Sequence, residues 1–200
     1  ILLGISQLNE QPYKKILVLT PTKQLANQIC NEFKECTSIE KEKIILLTGA
    51  TSPEKRKNLY KEAIAIIATP QTIHEDVEHS RINLEDFSLL VIDEAHRSRE
   101  NFANTKVAKA FIEKNSKGKI LALTASPGST KAKIDEICNN LYIQAVEIRS
   151  EQDEEVIAFI QKKEVEYLNL ELSEELKFLH QLIKSVYKER LAGLESFNIT

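Results

Sequence analysis

Short runs of consecutive apolar residues, each closed by a polar cluster and followed by apolar positions at helical spacing, set the rhythm of the chain. Ile1-Leu2-Leu3-Gly4-Ile5-Ser6-Gln7-Leu8 has the pattern of the back half of an amphipathic helix, and Gln11-Pro12-Tyr13 breaks it. The run from Lys15 to Thr20 is apolar at Ile16-Leu17-Val18-Leu19 but too short for a helix, so it reads as a buried strand ended by Pro21. From Lys23 the apolar positions Leu25, Ile29 and Phe33 predict a helix to about Cys36, with Thr22 as its N-cap.

The pattern then repeats. A strand is expected from Lys43 to Leu47, closed by Thr48-Gly49-Ala50, where a glycine permits a tight turn. Ser52-Pro53-Glu54 starts a helix running to about Glu62. Further strands are expected from Ala63 to Ala68, Leu89 to Ile92, Ile120 to Leu123 and Ala145 to Ile148. The helices between them run from Gln71 to Glu78, Phe102 to Lys114, and Thr130 to Leu141. Strands that are continuous apolar runs, alternating with helices, predict an α/β fold: a parallel sheet with helices on both faces. All its carboxyl ends, and the polar clusters that follow them, then share one edge.

Past Arg149 the composition changes. Ser150 to Glu155 is an acidic run that reads as a solvated linker, and Glu164 to Leu172 partly alternates as an extended segment would. Ser173-Glu174-Glu175 caps a C-terminal helical segment whose Leu176, Leu179, Leu182, Ile183, Val186 and Tyr187 make an apolar stripe. Such a stripe is expected to meet a partner, either the sheet or helices beyond residue 200. The expected division is a sheet domain over 1–149, a linker or extended segment over 150–172, and the start of a helical domain over 173–200.

Composition changes this picture little. With 42% hydrophobic and 28% charged residues the chain suits an ordinary globular protein. Its net charge of −3 gives no whole-domain basic footprint of a nucleic-acid binder, but leaves room for a local grip through hydroxyls and backbone amides. Cys30, Cys36 and Cys138 are odd in number and lack CxxC spacing, which speaks against a disulfide framework and against zinc. No apolar run has membrane-spanning length and no leader pattern opens the chain, so an intracellular, cytoplasmic protein without membrane contact is expected. The absence of Met and the start within a helical pattern suggest a fragment.

Candidate chemistry sits at Leu89-Leu90-Val91-Ile92-Asp93-Glu94-Ala95-His96-Arg97. A carboxylate at the end of a parallel strand can hold magnesium through water, and a second beside it can polarise a water for attack on a phosphoryl group. The plainer alternative is a strand ending in a polar turn.

Four segments in order carry a resemblance: Pro21-Thr22-Lys23-Gln24-Leu25-Ala26-Asn27-Gln28, Ala68-Thr69-Pro70-Gln71, Asp93-Glu94-Ala95-His96 and Leu123-Thr124-Ala125-Ser126. They resemble motifs Ia, Ib, II and III of the first, RecA-like motor domain of superfamily 2 helicases. Thr124 to Ser129, Pro21-Thr22-Lys23, Thr69 to Ile73 and the arginine after Asp-Glu-Ala-His look most like the archaeal Hef helicase and its relatives FANCM and Mph. The resemblance covers about residues 1–150.

It implies ATP and Mg2+ as cofactors, with Asp93 the metal-binding carboxylate and Glu94 the activator of water. His96, Thr124 and Ser126 would link hydrolysis to a second RecA-like domain. For His96 the alternative is a satisfied local hydrogen bond, and for Lys23 a solvated surface lysine. Thr22, Lys23, Gln28, Gly49, Thr69, Pro70 and Gln71 would grip the backbone of a nucleic acid, branched or single-stranded DNA first and RNA second. No G-x-x-x-x-G-K-[ST] occurs, so the phosphate loop is missing; this chain alone is expected neither to bind ATP tightly nor to unwind. The rival readings are a double-stranded-RNA-activated ATPase of the RIG-I or Dicer kind and a non-catalytic interaction domain.

Overall fold

The computed structural model describes residues 1–99, 102–128, 130–150, 152–158, 166–168 and 170–195. Two compact units make it up, Ile1–Glu147 and Ile148–Thr200.

The first unit is a five-stranded, all-parallel sheet. Its strands are β1 (Lys15–Leu19), β2 (Ile44–Leu47), β3 (Ala65–Ala68), β4 (Phe87–Ile92) and β5 (Lys119–Ala122), in spatial order β2-β3-β1-β4-β5. Register aligns their last residues, with Leu47 beside Ala68, Ala68 beside Leu19, Leu19 beside Ile92 and Ile92 beside Ala122. The segments that follow every strand therefore leave from one line. That is the expected edge.

Helices cover both faces. The strand period of two sends Ile16, Val18, Ala65, Ile67 and Leu89 to one face, where Ala26, Cys30 and Phe33 of α2 (Lys23–Cys36) and Leu8 of α1 (Leu2–Glu10) meet them. Leu17, Leu19, Ile66, Ala68, Leu90 and Ile92 point to the other face. There they meet α3 (Pro53–Glu62), α4 (Pro70–Glu78), α5 (Ala103–Lys114) and α6 (Lys131–Asn140) through Tyr60, Ile73, Phe111 and Ile137. This doubly covered parallel sheet is the α/β architecture that the strand–helix alternation predicts. Thr22 caps α2 as expected, its Oγ1 accepting the Leu25 N–H at 3.2 Å. Ser52 and Thr130 occupy N-cap positions without a side-chain cap bond.

One expectation is corrected. Residues 145–148 form no strand: Val146 and Ile148 are 55% and 67% exposed, so no burial drives them onto a sheet edge. At the end of the acidic run Glu154–Ile157 closes one helical turn, α7, with acids in its first turn where the helix dipole favours them. The tight turn at Gly49 forms as expected, the Thr51 N–H donating to Thr48 O at 3.0 Å, but Gly49 has no left-handed backbone and a Cβ there would meet nothing within 4 Å.

In the second unit α8 (Glu174–Glu195) has the predicted apolar stripe, with the Leu176 N–H on Ser173 Oγ at 3.4 Å. The stripe is not core: every residue of α8 whose side chain is described is exposed. Of the extended segment expected from Glu164 to Leu172, residues 164, 165 and 169 lie outside the described residues, and the others have no regular structure. Among the described residues no helix is long and apolar enough to cross a membrane.

Candidate functional site

The end of β4 is shaped by its neighbours on both sides. The Asp93 N–H donates to Leu19 O of β1 at 2.9 Å, while the Leu123 N–H donates to Ile92 O and the Ala95 N–H to Leu123 O, each at 2.9 Å. Asp93 and Glu94 thus leave the sheet between β1 and β5. Glu94 turns the chain in the left-handed region, φ 52° and ψ 47°, which is uncommon for a residue with a long side chain. The reversal buries Ala95 and begins the short turn Ala95–Arg97.

That turn brings His96 back toward Glu94. His96 Nδ1 lies 3.1 Å from Glu94 Oε2 and 2.9 Å from Thr124 Oγ1, beyond β5. The Ser126 N–H donates to the same Thr124 oxygen at 3.1 Å. One ring nitrogen therefore faces two oxygens. Protonated, it donates to one of them; unprotonated, it can accept only from the Thr124 hydroxyl. All three side chains are half-buried and Ser126 is exposed. The Asp93 carboxylate is half-buried and takes no hydrogen bond or ion pair among the described residues.

Behind the turn stands a support that the sequence pattern does not reveal. Buried Ser98 receives Asn104 Nδ2 of α5 on its Oγ at 3.2 Å and Asn140 Nδ2, at the end of α6, on its carbonyl at 3.0 Å. An open cleft of about 460 Å3 adjoins it, lined by His96, Ser98, Arg99, Ser126 and Lys133 among others.

The candidates for a nucleic-acid grip follow β1, β2 and β3, on the other half of the edge. Lys23 and Gln71 are exposed in the first turns of α2 and α4. Thr22 is exposed, with its oxygen committed to the cap but its hydroxyl hydrogen free to donate. Gln28 is exposed and donates to Glu32 at 2.9 Å one helical turn on. Thr69 and Pro70 are buried, and Thr69 Oγ1 is 2.9 Å from Thr72 Oγ1. Gly49 is exposed in the β2–α3 loop. The structure thus gathers Asp93, Glu94, His96, Thr124 and Ser126 on the β4–β5 half and the seven others on the β2-β3-β1 half.

Under that second half lies a buried ionic network between α3 and α4. Arg56 Nε and Nη2 donate to the two oxygens of Asp76 at 2.7 and 2.8 Å, and the Tyr60 hydroxyl donates to Oδ2 at 2.5 Å. Arg81 Nη1 donates to Oδ1 at 3.0 Å. Burial alone would raise the Asp76 carboxyl, but the bonds from Arg56, Tyr60 and Arg81 outweigh it and hold the group below its ordinary value. Burial and the Asp76 charge push the Tyr60 phenol far up. Nothing in the spacing of these residues announces the network, since each reads singly as part of a solvated helix face.

A family model described as DEAD/DEAH box helicase matches residues 1–134. A protein of Methanocaldococcus jannaschii, provisionally named an ATP-dependent RNA helicase, is 43% identical over 185 residues, 92% of this chain and 23% of that protein. The ATP-dependent DNA helicase fml1 of Schizosaccharomyces pombe is 33% identical over 187 residues, 94% of this chain and 22% of its own length. Among solved structures, the Hef helicase domain of Pyrococcus furiosus matches with a TM-score of 0.78 at 37% identity, over 98% of this chain and 42% of that one. The chain therefore spans less than a quarter of those two curated relatives. With a family match over two thirds of its residues, on a sheet whose strand ends carry the motifs in order, the chain belongs to the DEAD/DEAH box helicase family.

Proposed function

We propose that the sheet unit is the ATP-hydrolysing half of a DNA helicase or translocase motor, acting on forked or branched DNA. The observation that carries this reading is the contact of Glu94 Oε2 with His96 Nδ1, and of that nitrogen with Thr124 Oγ1, at 3.1 and 2.9 Å. A carboxylate so placed can orient and polarise a water, and the histidine ties its position to the segment after β5.

The donor set fits magnesium bound with a nucleotide. No group of three or more His, Cys, Asp or Glu that could cage a metal occurs among the described residues, whereas Asp93 offers one uncommitted carboxylate. Magnesium keeps several waters and binds through one or two carboxylates plus phosphates, so Asp93 would hold it in that manner. The ion would supply charge neutralisation on the phosphates. Glu94 would place the water, and His96, Thr124 and Ser126 would transmit the state of that site toward a second RecA-like domain. Thr22, Lys23, Gln28, Gly49, Thr69, Pro70 and Gln71 form the grip on the nucleic-acid backbone in this reading, the two buried residues acting through the helix start they shape.

In the full-length protein, Glu94→Gln is expected to lower DNA-stimulated ATP hydrolysis by roughly 100-fold or more while ATP binding persists. Retained turnover would remove Glu94 from this role. The M. jannaschii relative's name favours a second reading, an RNA-activated ATPase. Stimulation by forked DNA and by duplex RNA, compared at one salt concentration, decides between the two.

A further inference from the structure

Among the described residues, Arg56 and Asp76 are the charged side chains that are buried, at 2% and 0% exposure. Neither belongs to the hydrolytic site or to the grip. Burying two charges is expensive, and an apolar pair of similar volume would join two helices at least as firmly. What the ion pair adds is direction, because a bidentate guanidinium–carboxylate contact fixes the angle between its partners.

Its position gives that direction a use. Arg56 has a third bond, from Nη1 to the carbonyl of Thr51 at 2.5 Å, which reaches into the β2–α3 loop that carries Gly49. Asp76 stands on α4, whose first turn is Pro70-Gln71 with Thr69 as its N-cap. Sheet pairing fixes the two strand ends, Leu47 beside Ala68, but stops there. Beyond the strands α4 packs chiefly along α5, not along α3. The long side chains of Arg56 and Tyr60 therefore bridge from α3 to α4, and both end on one carboxylate.

We infer that Arg56 and Asp76 are positioning residues for nucleic-acid binding, holding the Gly49 loop and the Thr69-Pro70-Gln71 helix start at one fixed separation so that they engage a single backbone together. This inference rests on the nucleic-acid reading proposed above. The network does not touch the ligand. It acts by sparing the two grips the cost of being ordered when the ligand arrives, so losing it weakens binding without altering the hydrolytic groups.

The test uses the full-length protein with Arg56→Lys, which keeps the charge but loses the planar fork, and with Tyr60→Phe, a milder change that removes one donor to Asp76. A fluorescent single-stranded oligonucleotide is titrated by anisotropy well below each variant's melting temperature. ATP hydrolysis without nucleic acid is measured in parallel. Arg56→Lys is expected to weaken oligonucleotide binding about tenfold and Tyr60→Phe about threefold, with basal hydrolysis and the KM for ATP unchanged. Amide exchange without ligand should rise together over residues 48–52 and 69–72 and stay level in β4 and β5. Wild-type affinity in both variants, accompanied only by a lower melting temperature, would reduce the network to a structural staple and overturn the inference. Independent or global rises in exchange would overturn it as well. A wild-type protein with no affinity for the oligonucleotide would instead overturn the nucleic-acid reading beneath it.

Discussion

Glu94 combines two demands that rarely meet in one residue, a left-handed backbone and a carboxylate held beside a histidine. Asp93, Glu94, His96 and Thr124 are recognisable in the sequence because motif chemistry sits at strand ends, but the left-handed turn is not, since Gly or Asn would signal it and Glu does not. Gly118 shows the opposite case, a residue whose need for glycine is steric. A Cβ there would lie 2.5 and 2.6 Å from ring atoms of Phe111, which is fully buried and cannot swing away. Gly118→Ala is expected to cost about 1–3 kcal/mol, read as a lower urea midpoint with an unchanged slope. Adding Phe111→Leu should recover part of the loss; a neutral Gly118→Ala would show that the ring has room to move.

At the scale of elements, periodicity located every α-helix of the sheet unit within two residues, because continuous apolar runs and capped helices leave local signatures, while the short 3-10 turns at Lys41–Lys43, Leu84–Asp86 and Ala95–Arg97 passed unseen. It overreached at residues 145–148, where an apolar alternation exists without a partner strand, and it was blind to what ties one helix to another. Arg56 and Asp76 are far apart in sequence and carry no spacing rule, so only the fold brings them together. Their meeting has a consequence for stability. Asp76 is held below its ordinary value of 3.8, so its contribution is complete above that pH, where the unfolded carboxyl is also ionised. As pH falls through 3.8 the unfolded state takes up the proton first, and the contribution drains away toward the lower folded value. Tyr60, raised from 10.0, loses its contribution in the other direction, as pH climbs above that figure. Asp76→Asn should therefore be less stable than wild type near neutrality, with the gap in urea midpoint narrowing below about pH 4. A gap that stays constant in acid would place its origin in packing, not in the carboxylate charge.

The whole molecule divides its work along one sheet edge, with the hydrolytic candidates after β4 and β5 and the grip candidates after β1, β2 and β3. Every buried apolar residue among those described lies within Ile1–Glu147, while α8 presents Leu176, Leu182 and Ile183 at 51%, 49% and 68% exposure. The sequence pattern could reveal that the α8 stripe is apolar but not what would cover it, since periodicity reports a face and never its partner. The two units therefore make separate thermodynamic claims. Because both cores draw only on residues of the first unit, a chain ending at Glu147 should keep a cooperative thermal transition within about 3 °C of that of residues 1–200. Removing α8 should also lower the binding of an apolar dye, by taking away a surface larger than isolated exposed side chains present. Calorimetry on the two chains checks the first expectation and dye titration the second. A midpoint lowered by about 10 °C or more would mean that the five-stranded sheet, for all its burial, draws part of its stability from the residues after 147.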